Sequence, residues 1–254
     1  MHITAIIPAR YASTRLPAKA LRLIAGKTLI QRVFEAVFDT NLFSKVIVAT
    51  DHSDIFEHVK CFHDEVMMTS IHHPSGTDRI AECSKNINTD LIINVQGDEP
   101  FISKKPLHLL INTFKNENIH IASMMTFFDN EDDLINPNFV KVVCDKNFDA
   151  LYFSRAIIPY SVTGFQINNS QVSPISNQNA PYYRHIGVYA YRPQMLKTFV
   201  ALPQSNLEKI EKLEQLRLLE NGYKIRMVLT DYKGIGIDTV DDLERAEKIL
   251  QIKN

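Results

Sequence analysis

Short apolar runs alternate with amphipathic stretches along the first half of the chain. Residues 3–8 (ITAIIP) read as a buried strand, and a polar basic loop, residues 9–19, follows it. Residues 28–38 place Leu29, Ile30, Val33, Val37 and Phe38 on one helical stripe. KVIVAT (45–50) is a strand rich in β-branched residues, and Asp51 and Ser53 are candidate caps for a helix over 54–62. Residues 65–68 form a short strand candidate, 77–87 a helix, and 91–96 an apolar strand that runs into GDEP. Ser103 is placed to cap a helix reaching residue 114, and 121–126 reads as another strand. Strands alternating with helices predict βαβ units and a mostly parallel sheet.

The second half is less regular. Residues 139–145, 150–154, 185–191 and 225–229 read as strands, with helices over 207–220 and 241–251. Gly222 stands where a helix C-cap is wanted. Between Arg155 and Arg184 there is no charged side chain, and the stretch is rich in Asn, Gln, Ser and Pro. It is expected to be a long loop or flap. No internal repeat and no clear linker divide the 254 residues. The expectation is one domain over 1–254 with an elaboration around 130–200.

Charge and composition narrow the function. Lys and Arg number 28 against 29 Asp and Glu, a net charge of −1, which argues against broad nucleic-acid or anionic-membrane binding. Cys61, Cys83 and Cys144 are odd in number and widely spaced, so neither a disulfide framework nor a zinc knuckle is expected. The apolar run near the N-terminus is too short for a secretory signal, and no stretch approaches the ~20 residues that span a bilayer. These features predict a cytoplasmic protein.

In open α/β sheets, ligands bind beyond the carboxyl ends of the strands, and three polar clusters fall there. The loop after the first strand carries Arg10, Arg15 and Lys19, three cations able to cradle a triphosphate, without a Walker glycine pattern. Gln96, Gly97, Asp98 and Glu99 follow the strand at 91–96. Asp98 there is a natural magnesium ligand, although Gly-Asp and Glu-Pro are also ordinary turn dipeptides. Asp238, Asp241 and Asp242 precede or begin the last helix, where they suit its cap and dipole. Asp238 becomes a second metal ligand only if the chain returns to the mouth of the sheet. Ser75 and Gly76 open a helix, as an N-cap or as an anion site. No GxSxG, HExxH or GxGxxG motif supports a hydrolase, a zinc enzyme or a dinucleotide oxidoreductase.

The segments IIPARYASTRLPAKAL, VATDH, HPSGTDRIAE, NVQGDEP, NPNFVKVV, ALYFSRAIIPY, RHIGVYAYR, LEQLRLLENG and IGIDTVDDLERA occur in this order. Together they resemble the 3-deoxy-manno-octulosonate (KDO) cytidylyltransferases. IPARxxSTRLP alone would also admit the acylneuraminate cytidylyltransferases; QGDEP, ALYFSR, RHxGxYxYR and LEQLR are more specific. The resemblance implies a Rossmann-like α/β domain of the nucleotide-diphospho-sugar transferase type, a mostly parallel mixed sheet with helices on both faces, working as a homodimer. It implies transfer of CMP from CTP to the anomeric hydroxyl of KDO, releasing pyrophosphate, for lipopolysaccharide biosynthesis. The 8-amino analogue or an acylneuraminate is the alternative acceptor, and a non-catalytic nucleotide sensor the alternative class.

By the same resemblance Arg10, Arg15 and Lys19 hold the triphosphate, and Ser75, Gly76, Pro8 and Ala9 lie at the cytidine. Gln96 lies between nucleotide and sugar, and Asp98 and Asp238 bind Mg2+. Arg155, His185, Tyr189, Glu214 and Gln215 form the sugar-acid pocket. Lys19, Arg10, Asp98 and Asp238 are the implied catalytic group. Both substrates are anionic, so the basic loop and magnesium ions on Asp98 and Asp238 are expected to offset their repulsion.

The chain departs from the family's usual RLPGKPL at RLPAKAL. Alanine replaces a glycine at Ala18, and Ala20 frees a φ that proline would fix. The expectation is that Ala18 settles at negative φ.

Overall fold

The computed structural model describes residues 1–12, 16–168, 171–175, 181–234 and 236–252. Among these no helix is long and apolar enough to cross a membrane. The chain divides into two compact units that interleave in sequence: residues 1–108, 188–200 and 234–254, and residues 109–187 and 201–233.

The first unit is built on strand Ile3–Ala9. Its neighbours Lys45–Thr50 and Leu91–Asn94 pair with it in parallel, and Val66–Met68 extends the sheet beyond Lys45–Thr50. Residues 189–191 run antiparallel to Leu91–Asn94, with Tyr189 opposite Asn94. Ile6, Ile7, Val48, Ile92 and Ile93 are fully buried, as continuous apolar strands of a covered parallel sheet require. The helix Leu29–Phe38 buries the stripe Leu29, Ile30, Val33 and Val37, and Thr28 caps it by accepting from the Gln31 amide.

In the second unit Ile121–Phe127 runs parallel to Arg226–Leu229. Lys141–Cys144 lies antiparallel to Ala150–Ser154 and to residues 183–184. A mostly parallel mixed sheet with helices is thus observed, as the alternation predicts.

Three local expectations are corrected. The cap of the helix Ser53–Lys60 is His52, whose ring accepts from the Asp54 amide, and Asp51 is taken instead by Arg79 at 2.6 Å. The uncharged stretch is not all loop: Phe165–Asn168 and Gln171–Pro174 form an antiparallel hairpin. Ile157, Phe165, Val172 and Tyr182 pack with Phe128, Phe139 and Leu134, so apolar residues dispersed among amides and prolines give this segment a small core of its own.

Finally, the helix expected over 207–220 is two short ones, Asn206–Glu211 and Leu216–Glu220, parted by Lys212 at φ 53. Arg217 donates to both carboxylate oxygens of Glu208 at 2.6 and 2.8 Å, and both residues are buried. On one straight helix nine residues apart means opposite faces and about 13.5 Å of rise. The buried ion pair therefore requires the break. Gly222 does close the second helix: its φ is 77, its amide donates to Leu219 and that of Tyr223 to Leu218.

Candidate active site

In the first unit the strand end at Pro8 is met by two glycines. A β-carbon at Gly76 would lie 3.4 Å from Pro8 Cγ, and one at Gly97 would lie 2.7 Å from the Pro8 carbonyl oxygen. Only glycine at 97 lets the turn after Leu91–Asn94 approach the first strand this closely. Pro8, Ala9, Gly76 and the GDEP turn are therefore gathered as the motifs imply. Ser75 caps the helix Gly76–Ser84, accepting from the Asp78 amide and donating to its carboxylate at 2.7 Å. Gln96 is half-buried, and its carbonyl accepts from the Glu99 amide. Arg10 is exposed, while Arg15 lies outside the described residues.

Lys19 begins a short 3-10 turn, Lys19–Leu21. Its Nζ lies 2.7 Å from Asp98 Oδ2 and 2.9 Å from Asp238 Oδ1. The three side chains are 18%, 27% and 38% exposed, so the cluster is sheltered yet open to solvent. Burial of the ammonium works to lower its pKa, but the charges of Asp98 and Asp238 and their hydrogen bonds outweigh it and leave Lys19 above its ordinary value.

Backbone chemistry explains how Asp238 arrives. The Ile237 amide donates to the Asp98 carbonyl at 3.0 Å, which docks this segment beside the GDEP turn. The capping role offered to Asp238 is taken by its neighbours. Asp242 accepts from the amides of Asp238 and Thr239, and the Asp242 amide donates to Thr239 Oγ1. Asp238 Oδ1 instead accepts from Lys19 Nζ.

Two carboxylates that converge on one cation are the protein donor set that magnesium takes when phosphates and water supply the rest. Asp98 and Asp238 fit that role by chemistry. Among the described residues no cluster of three or more His, Cys, Asp or Glu forms an all-protein metal cage.

The expectation for Ala18 is overturned: it lies at φ 50, ψ 38, in the left-handed region. The Leu21 amide donates to the Ala18 carbonyl at 2.9 Å, so the turn that presents Lys19 fixes this conformation. An alanine there carries strain that the family's usual glycine avoids.

The second unit holds most of the residues implied for the sugar. Arg155 is half-buried, with Nε donating to the Glu211 carbonyl at 2.9 Å and Nη1 to the Pro137 carbonyl at 3.0 Å. His185 Nε2 lies 3.0 Å from Ser123 Oγ. That hydroxyl also lies 3.1 Å from the Ile186 carbonyl, to which it can donate. Burial, with the charge of Arg184 added, pushes the His185 pKa down to about 3, and the ring stays neutral.

Glu214 and Gln215 sit in the break between the two short helices, with Gln215 buried. Tyr189 is buried in the first unit, where it stacks on Tyr191 with centroids 5.8 Å apart.

Residues not singled out from sequence also shape these sites. Glu211 accepts from the Arg155 amide at 3.0 Å, Lys141 donates to the Arg155 carbonyl at 3.0 Å, and Ser123 fixes His185. Lys141 stands within NPNFVKVV, where a charged residue inside an apolar strand was the available signal. Nothing local marks Glu211 among the charges around it.

A sequence model of the cytidylyltransferase family matches residues 4–225. The 3-deoxy-manno-octulosonate cytidylyltransferase of Flavobacterium johnsoniae is 47% identical over 254 residues, covering 99% of each chain. A solved structure of CMP:2-keto-3-deoxy-manno-octonic acid synthetase complexed with CTP superposes with a TM-score of 0.90 at 35% identity, covering 100% of both chains. The 4-diphosphocytidyl-2C-methyl-D-erythritol synthase of Anaerococcus prevotii matches at TM-score 0.62 and 16% identity over 98% of each chain, a likeness of fold.

Proposed function

The chain belongs to the 3-deoxy-manno-octulosonate cytidylyltransferases, and from that membership we propose that it transfers CMP from CTP to the anomeric hydroxyl of KDO, releasing pyrophosphate. The observation that carries this reading is the convergence of Lys19, Asp98 and Asp238 at 2.7 and 2.9 Å, in the unit where Pro8, Gly76 and Gly97 meet.

Attack by a sugar acid on the α-phosphate of CTP brings two anions together. Lys19 supplies a point charge that tracks the transferring phosphoryl group and the departing pyrophosphate. Arg10 and Arg15 add guanidinium forks for phosphate oxygens. Asp98 and Asp238 would hold Mg2+, which when bound supplies charge neutralisation at the phosphates and a more acidic sugar hydroxyl. Arg155 offers a guanidinium for the sugar carboxylate. His185, neutral, is suited to neutral partners such as hydroxyls rather than to binding the carboxylate as a cation.

A homodimer working in the cytoplasm completes the reading, on the strength of the family resemblance.

The test is pyrophosphate release from CTP with KDO, its 8-amino analogue or an acylneuraminate, each with magnesium and with EDTA. KDO is expected to give the highest kcat/KM, and EDTA to abolish turnover. A higher kcat/KM for either competitor overturns the sugar assignment. Release unaffected by EDTA overturns the metal assignment, and no release with any sugar overturns the enzyme reading. Sedimentation checks the dimer, which a monomer at assay concentration contradicts.

A further inference from the structure

The surroundings of Arg155 carry an inference beyond its own assignment. Its backbone amide, its carbonyl and the guanidinium Nε are fixed by two charged residues that the motifs left without a role. The Glu211 carboxylate accepts from Ser154 Oγ at 2.6 Å through Oε1 and from the Arg155 amide at 3.0 Å through Oε2. The Glu211 carbonyl accepts from Arg155 Nε at 2.9 Å. On the other side Lys141, fully buried, donates to the Arg155 carbonyl at 3.0 Å and to the Asn136 carbonyl at 2.9 Å. The Pro137 carbonyl, next in sequence to Asn136, takes Arg155 Nη1.

The pattern of acceptors matters more than their number. The guanidinium donates to the carbonyl oxygens of Glu211 and Pro137, and among the described residues no carboxylate forms an ion pair with it. Glu211 spends its own charge on a backbone amide and a hydroxyl. A guanidinium oriented by neutral oxygens keeps its full positive charge for a ligand, whereas one paired with a carboxylate would be neutralised in advance. Lys141, Arg155 and Glu211 together carry a surplus of one positive charge. The cost of that crowding is visible at Lys141, whose pKa burial and the charge of Arg155 push down to about 8.

We propose that Glu211 and Lys141 are positioning residues that hold Arg155 as an uncompensated receptor for the carboxylate of the sugar-acid substrate. This rests on the reading of Arg155 as a sugar-binding residue, and the test separates the two.

The experiment is steady-state kinetics on Glu211→Gln, Lys141→Met and Arg155→Ala, measuring KM for KDO at saturating CTP and KM for CTP at saturating KDO. Glu211→Gln keeps the shape of the side chain but cannot accept from both the hydroxyl and the amide. Glu211→Gln and Lys141→Met are each expected to raise the KM for KDO about tenfold, as loss of a charge-assisted hydrogen bond would, and to leave the KM for CTP within about twofold. Arg155→Ala is expected to raise the KM for KDO further. An unchanged KM for KDO in Arg155→Ala overturns the reading of Arg155 itself. A raised KM in Arg155→Ala with no change in the other two overturns the positioning role alone. Equal rises in both KM values, with a lowered melting temperature, show a structural role only and also overturn it. Should Glu211→Gln fail to fold, Ser154→Ala removes one hydrogen bond to Oε1 and carries the same test, with about a threefold rise expected.

Discussion

Lys19 and Arg155 are both half-buried cations that follow strands, yet they are held by opposite means. Lys19 lies between two carboxylates, and its charge is met at 2.7 and 2.9 Å by partners 79 and 219 residues away. Arg155 is held through carbonyl oxygens, and the nearby carboxylate of Glu211 is occupied by an amide and a hydroxyl. On the proposed reading the first arrangement stores a cation against the groups that would hold Mg2+, and the ammonium would exchange partners when a triphosphate binds. The second keeps a cation unspent. The difference suits the two substrates. A highly charged nucleotide supplies ample electrostatic energy to part an ion pair, while a single sugar carboxylate does not.

The sharpest way to break this comparison is Asp98→Asn. An amide is a poor magnesium ligand and a neutral partner for Lys19, so turnover should fall by about 4 kcal/mol of barrier, roughly a thousandfold, with the fold intact. Activity within a few fold of the parent, in a chain with native circular dichroism, would remove Asp98 from the metal site. Lys19→Ala should cost somewhat less, on the order of 10²–10³ in turnover, by analogy with losing one oxyanion-hole donor. Because two carboxylates then face each other without an ammonium, the same variant should bind Mn2+ more tightly than the parent in the absence of nucleotide. Metal titration checks this, and weaker binding would show that Lys19 does not compete for that position.

A smaller effect reads the second unit through pH. His185 has a folded pKa pushed below its ordinary 6.5 to about 3, so the unfolded chain binds the extra proton. Its contribution to stability is complete above about pH 6.5 and is lost as pH falls towards the folded value. Between pH 7.5 and 5.5 that loss amounts to about 1.4 kcal/mol. Urea melts at the two pH values should show His185→Gln less sensitive than the parent by this amount. Equal sensitivity would mean that the ring titrates alike in both states.

The smallest expected effect concerns Ala18. With φ at 50, Ala18→Gly should relieve strain and stabilise the chain by roughly 1 kcal/mol, less the extra unfolded-state entropy of glycine. A less stable glycine variant in a denaturant melt would contradict the left-handed turn.

How far the sequence foretold these regions follows from what each depends on. The parallel strands of the first unit were legible because Ile3–Ala9, Lys45–Thr50 and Leu91–Asn94 are continuous apolar runs. Motifs located Lys19, Asp98 and Asp238, but the meeting of all three depends on the Ile237 amide reaching the Asp98 carbonyl. Local reading makes Asp238 a cap, and only the Thr239–Asp242 pair shows that the cap is supplied elsewhere. The second unit was less legible for a related reason. The break at Lys212 answers to a buried ion pair nine residues long, and the hairpin at Phe165–Asn168 to a small core shared with Phe128 and Leu134. Neither leaves a period in the sequence. At Ala18 the freedom that Ala20 lends would allow a negative φ, but the turn that presents Lys19 holds the residue left-handed.

The contrast between the two cations is tested most directly by one kinetic comparison, the parent against Lys19→Ala and Arg155→Ala, titrated with KDO at saturating Mg-CTP. The account predicts that Lys19→Ala lowers kcat on the order of a hundredfold with the KM for KDO unchanged, while Arg155→Ala mainly raises that KM. Losses in the reverse sense, with Lys19→Ala moving the KM for KDO and Arg155→Ala moving kcat alone, would contradict it.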